Sequence, residues 1–171
     1  ADDLLALSDK AAYFSRLDDG EANQLAFDLF NQVLSRNPRY APALVGLAQC
    51  YINNVNLGID ADLRWLEMAS AKIEQAEAID RRQADHDRLR IQILLIRDLL
   101  EGGDSSEAYL ALARRALASF PHDAGVNSIV GYCWFLEFGR SGREEDFEKA
   151  LQFKRRAFWG DPASAANIVL A

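Results

Sequence analysis

The stretch Asn37–Tyr51, NPRYAPALVGLAQCY, contains the signals that decide the fold of this chain. Its Asn-Pro pair ends one helix, because the residue before a proline avoids helical backbone angles. Pro42 then falls in the first turn of the next helix, where its missing N–H costs no hydrogen bond. Four residues suited to a helix interior follow at intervals of three or four: Leu44, Leu47, Ala48 and Tyr51. The stretch therefore predicts a helix end, a short turn and a second, amphipathic helix.

The same boundary returns along the chain at a nearly constant spacing. Its equivalents at Pro38, Arg81, Pro121 and Pro162 are separated by 43, 40 and 41 residues. Between successive boundaries the sequence carries two helical patterns joined by a polar or Gly-containing turn, without the alternation typical of strands. Such a period indicates a repeat array, in which each helix pair stacks on its neighbours to bury its apolar face. The sequence therefore predicts an all-α solenoid.

These boundaries divide one predicted domain into four helix pairs, at about 1–38, 39–81, 82–121 and 122–162. In the first pair the pattern places Leu25 inward together with Ala26 and Phe30. Polar or Gly-rich segments predict turns at 53–58 and 139–142. In the third pair, the residues at 104 and 107, Asp and Glu, have the spacing of a capping box at a helix start.

The last segment, 163–171, has the pattern of a trailing helix that begins but has no partner. A solenoid normally ends on a polar capping helix, whereas this segment carries Ile168, Val169 and Leu170. We therefore expect the natural protein to continue past Ala171.

Composition and charge exclude several classes of partner. The chain has 171 residues, of which 50% are hydrophobic and 26% charged, and a formal net charge of −7. This negative charge opposes binding to nucleic acid or to anionic lipid headgroups. No apolar run approaches the roughly 20 residues needed to cross a bilayer. We expect a globular protein that binds neither nucleic acid nor a membrane.

The two cysteines, Cys50 and Cys133, occupy equivalent places two repeats apart. Neighbouring helices pack about 8–10 Å apart, so equivalent sites in repeats this distant exceed the roughly 7 Å limit between the Cα atoms of a disulfide. We expect both thiols to be free, buried and reduced, which favours a cytoplasmic setting.

The motif residues resemble those of the tetratricopeptide repeat (TPR). Leu44, Leu47, Ala48 and Tyr51 match its large, large, small and aromatic positions, and Val130, Gly131 and Trp134 fill the same positions in the fourth pair. The resemblance implies a right-handed α-α superhelix of four helix pairs plus the trailing helix. The period of this chain exceeds the usual 34 residues or so, as in divergent repeats resembling those attached to bacterial nucleotide cyclases and transcription regulators.

The resemblance also implies a concave groove lined by the first helix of each pair. Carried over by position, its residues are Val45, Gln49, Ile52, Asn53, Arg88, Gln92, Ser128, Tyr132, Phe135 and Leu136. Such a groove suits an extended peptide or a helix. Tyr132 and Phe135 have an alternative role, which is packing between repeats.

Residues that resemble catalytic or metal-binding groups have simpler interpretations. Asp85, His86 and Asp87 are consecutive on a helix and point in different directions, which is typical of a solvated helix start rather than a metal site. The segment 139–143, GRSGR, lacks the strand and the Gly-Lys-Ser/Thr ending of a phosphate loop. Without a nucleophile, a metal cluster or a carboxylate pair, we expect no enzyme, no metal and no cofactor.

Two functional hypotheses remain from the sequence. The first is a scaffold that binds a peptide, a helix or a partner domain in the groove. The alternative is a ligand-sensing domain that regulates an attached cyclase or transcription regulator. Trp134 is predicted to lie in the core, whereas Trp159 lies near the apolar C-terminal edge, which predicts a homodimer through that edge.

Overall fold

The computed structural model describes residues 2–160, and every regular element among them is an α-helix. The eight helices are α1 Asp2–Phe14, α2 Gly20–Arg36, α3 Ala41–Asn56, α4 Arg64–Ile79, α5 Ala84–Glu101, α6 Ser106–Ser119, α7 Ala124–Ser141 and α8 Glu144–Gly160. The prediction of an all-α chain is confirmed. The predicted trailing helix at 163–171 lies outside the described residues.

Several helix ends form where the sequence places capping residues. Asp19 and Asp123 precede α2 and α7, and each carboxylate accepts a hydrogen bond of 2.8 Å from the backbone N–H three residues later. These bonds satisfy donors that have no partner inside the helix. At the other end of α7, Gly142 has a φ of 65°, a left-handed conformation that glycine adopts without steric cost.

Most of each predicted turn segment is helical in the structure. α3 continues through Asn53 and Asn54 to Asn56, and α7 continues through Gly139 to Ser141. The Asn53 and Asn54 side chains make tertiary hydrogen bonds, so they do not compete with the helix for its own backbone groups. The turns therefore begin later than predicted, after Asn56 and after Ser141, and Gly58 and Gly142 there have positive φ angles.

The predicted capping box of α6 is also wrong. The N-cap is Ser105, whose backbone N–H and hydroxyl donate to the two carboxylate oxygens of Asp98 at 2.6 and 2.8 Å. Asp104 accepts a hydrogen bond from the backbone N–H of Ser106 instead. A carboxylate on the preceding helix therefore holds this turn in place.

The chain forms two compact units, of which the first ends at Leu89 and the second begins at Arg90. In the first unit, α1 packs on α2, α3 packs on α4, and α2 contacts α3. In the second unit, α7 packs on α8 and also contacts α6. Most of these contacts join helices that follow one another in the chain, as expected of a helix-pair repeat.

A contact between a ring and a glycine joins the first two helix pairs. Phe30 on α2 is 1% exposed, and its ring lies where a β-carbon on Gly46 of α3 would be, only 2.1 Å from the ring edge. Nearby, the Tyr51 ring lies 5.8 Å from Phe27 and 5.5 Å from Trp65, which links α2, α3 and α4. Leu25, predicted to point inward, is 41% exposed because α2 turns its Asn23, Ala26 and Phe30 side toward the interior.

We predict that Gly46→Ala destabilises the protein. The added methyl overlaps the buried Phe30 ring, and overpacking of this kind costs about 1–3 kcal/mol, which outweighs the gain of about 1 kcal/mol in helix propensity. Urea unfolding followed by circular dichroism measures the change.

The matched control is Gly139→Ala, a helical glycine in α7 with no atom within 4 Å of the new methyl. It should raise the free energy of unfolding by up to about 1 kcal/mol. Equal effects of the two substitutions would contradict the proposed role of the Phe30–Gly46 contact.

Candidate functional site

The groove residues predicted in the first unit are mostly buried. Val45, Ile52 and Asn53 are 6%, 2% and 9% exposed, whereas Gln49 and Arg88 are partly exposed. The surface that this face offers to a partner is therefore polar and consists mainly of Gln49 and Arg88.

A buried hydrogen-bond network supports this face from within. The Asn53 amide donates to the Ser15 carbonyl at 2.9 Å and to Asn23 Oδ1 at 3.0 Å. The Asn23 amide in turn donates to the Cys50 carbonyl at 3.1 Å and to Asn54 Oδ1 at 2.9 Å. Because Asn23 is 2% exposed, these bonds compensate for the desolvation of its amide. They connect α2, α3 and the end of α1.

The network continues to the surface. The Gln49 amide donates to Asn53 Oδ1 at 2.9 Å, and Arg88 Nη1 donates to Gln49 Oε1 at 3.0 Å. Arg88 Nε also donates to Asp85 Oδ1 at 2.8 Å, and the Arg88 charge lowers the pKa of Asp85. Arg88 and Asp85 are thus held as a charged pair at a defined position on the surface.

The triplet Asp85–Asp87 is not wholly a solvated helix start. The Asp85 side chain is 48% exposed, but His86 is 2% exposed and points into the protein. Within residues 2–160, no group of three or more His, Cys, Asp or Glu residues is placed to hold a metal ion. In the same part of the chain, both cysteines are free and buried, and burial raises the pKa of each thiol to about 12.

The groove residues predicted in the second unit include two exposed rings. Tyr132 and Phe135 on α7 are 41% and 40% exposed, and Ser128 and Leu136 beside them are partly exposed. Gln92 on α5 is also partly exposed. Four helical residues at this spacing share one side of α7, and we call Ser128, Tyr132, Phe135 and Leu136 the α7 face.

The side of α7 next to this face packs closely on α8. A β-carbon on Gly131 would lie 3.1 Å from the Ala150 carbonyl oxygen and 3.1 Å from Lys154 Cγ, so the glycine allows the two backbones to approach. Lys154 Nζ then lies 5.8 Å from the Tyr132 ring centre, and Lys149 Nζ lies 4.1 Å from that of Trp134. Burial lowers the pKa of Lys154 to about 8. Trp134 is only partly buried, rather than in the core as predicted.

Two polar clusters in the second unit have structural roles. Tyr109 is fully buried, and its hydroxyl donates to Glu137 Oε1 at 2.7 Å, which joins α6 to α7. Asp146 accepts hydrogen bonds from Ser141 Oγ at 2.7 Å and Arg143 Nε at 3.0 Å, and the Ser141 bond lowers its pKa. Gly142 and Arg143, at the end of the Gly-rich segment 139–143, therefore form the α7–α8 turn.

We predict that Asn23→Ala lowers the free energy of unfolding by about 1–3 kcal/mol, because it leaves buried amide and carbonyl groups without their partners. The control is Asn31→Ala on the same helix, where the exposed amide donates to the Phe27 carbonyl one turn earlier. Urea unfolding should show no loss for this control, and equal losses would contradict the role of the buried network.

We predict that Lys154→Met stabilises the protein more at pH 7 than at pH 10. In the native state the pKa of the Lys154 amine is about 8, whereas in the unfolded state it has the ordinary value of 10.5. The native state therefore binds fewer protons between these values, so the wild type gains stability as pH rises through this window. The Cys133 thiol, which interacts with Lys154, is present in both the wild type and the variant. A difference between variant and wild type that is independent of pH would contradict the desolvation of this amine.

Comparison with known proteins supports the fold. No protein-family model and no curated protein matches the sequence. The crystal structure of TTC0263, a thermophilic TPR protein in Thermus thermophilus, is similar with a TM-score of 0.57 and 22% identity over 86% of this chain and 74% of that chain. The human IFIT1 dimer with m7Gppp-AAAA is similar with a TM-score of 0.39 and 18% identity over 87% of this chain and 40% of that chain. The first likeness and the pairwise helix packing together show that this protein has a TPR-like all-α fold.

Proposed function

We propose that this protein is a non-enzymatic interaction module that binds a peptide, a helix or a partner domain. The TPR-like fold supports a scaffold of this general kind. Within residues 2–160, no helix is both long enough and apolar enough to span a bilayer.

The observation that carries the proposal is the exposure of two aromatic rings on the α7 face. Tyr132 and Phe135 are 41% and 40% exposed although α7 packs on both α6 and α8. Aromatic side chains contribute a large part of the free energy of binding at interfaces, because they bury a large apolar area with few rotatable bonds. Two rings one helical turn apart match the spacing of apolar anchors on a bound helix or peptide.

The first unit supports the same proposal with a different chemistry. Its exposed face presents Gln49, Arg88 and Asp85, which hydrogen bonds already hold in place. Polar groups ordered before binding lose less conformational entropy when a partner arrives. In the proposal they are a polar contact surface of the first unit by itself, whereas the α7 face is the aromatic contact surface of the second unit.

A selection from a displayed peptide library tests the proposal. We predict that the wild type enriches peptides that contain apolar anchors and that Phe135→Ser weakens their binding by roughly tenfold or more. Fluorescence anisotropy with the selected peptides gives the dissociation constants, and circular dichroism confirms that the variant is folded.

The matched control is Leu99→Ser, which replaces an apolar residue that is 82% exposed on α5. This variant should bind the same peptides within about twofold of the wild type. The proposal fails if no peptides are enriched or if both variants bind equally well. Thermal stabilisation by a small metabolite, without any peptide binding, would instead favour the ligand-sensing alternative.

A further inference from the structure

The outer side of α8 carries a stripe of exposed residues. A shallow groove along this helix is lined by Glu148, Leu151, Gln152, Arg155, Arg156 and Trp159. Their spacing places them on the side opposite Ala150 and Ala157, which are buried, each at 3% exposure. We call this set, together with Glu144, the α8 stripe.

The α8 stripe combines apolar area with charged side chains, two of which form no ion pair within residues 2–160. Leu151 is 40% exposed and Trp159 is 80% exposed. Among the described residues, neither Glu148 nor Arg155 takes part in an ion pair. Single exposed apolar residues are ordinary, but a leucine and a tryptophan aligned with unpaired charges on one helix face are typical of an interface.

The order of charges along α8 is self-complementary. Glu144 and Glu148 occupy the first half of the stripe, and Arg155 and Arg156 occupy the second half. When two such helices lie antiparallel about a two-fold axis near Leu151, Glu148 of each copy faces Arg155 of the other, and Glu144 faces Trp159. The helix dipole also favours acidic residues at the start of a helix and basic residues at its end. The dipole does not explain why Leu151 and Trp159 share the same face.

We propose that the α8 stripe is a homotypic interface that binds the α8 stripe of a second copy of this chain in antiparallel orientation. In such an isologous contact each copy contributes the same surface, so association stops at the dimer. Each ion pair then occurs twice. A pair of helices about 25 Å long buries less area than a typical stable dimer, so association is concentration-dependent. This interface goes beyond the proposed function, since it does not involve the α7 face.

Charge reversal with a mixing experiment tests the proposal on the full chain. Sedimentation velocity should show a monomer–dimer equilibrium for the wild type. Glu148→Arg places arginines opposite each other and Arg155→Glu places glutamates opposite each other, so each variant alone should self-associate roughly tenfold or more weakly. An equimolar mixture of the two variants should form a heterodimer, because all four charges are again opposite their complements.

The double variant with both reversals should dimerise like the wild type, because the swap preserves every pairing. Glu74→Arg, an equal charge change on the exposed side of α4, is the matched control and should leave the equilibrium unchanged. A wild type that stays monomeric up to high concentration would overturn the proposal. A dimer that is insensitive to the single reversals, or a mixture that fails to associate, would also overturn it.

Discussion

The close approach of neighbouring helices is the constraint on which the rest of this structure depends. At Gly46 the Phe30 ring occupies the volume that a side chain would otherwise fill, and at Gly131 the α8 backbone approaches to within van der Waals contact of that volume. Protein interiors pack as densely as organic crystals, so a small residue on one helix determines which large residue fits opposite it. These two contacts bring α2 against α3 and α7 against α8, and each pair then has a defined orientation.

That packing decides which side chains remain available for function. In the first unit the interior includes an asparagine network, and its outermost members are Gln49 and Arg88. In the second unit α6 and α8 cover two sides of α7, and Tyr132 and Phe135 remain on the uncovered side. The two units therefore present different chemistries, one polar and ordered in advance, the other aromatic.

The α8 stripe illustrates a second consequence of the repeat architecture. A helix at the end of a stacked pair has one side against its partner and another side that the pair itself does not cover. On α8 that other side carries Leu151, Trp159 and an ordered set of opposite charges. The surface suited to a second copy and the surface suited to a peptide thus lie on different helices, so self-association and partner binding are separable.

The sequence by itself determined the all-α class and the repeat spacing, because these depend on local helical periodicity and on the residues that interrupt it. Helical periodicity also identified most of the interior, including Ala26 and Phe30. It failed where burial depends on contacts distant in sequence. Asn53 looked like part of a turn, but the Asn23 and Ser15 groups that pair with it lie at least 30 residues away in the chain. Only the tertiary structure decided that Leu25 is exposed and that Trp134 is partly exposed, since a helix face is buried or open according to whether another helix packs against it.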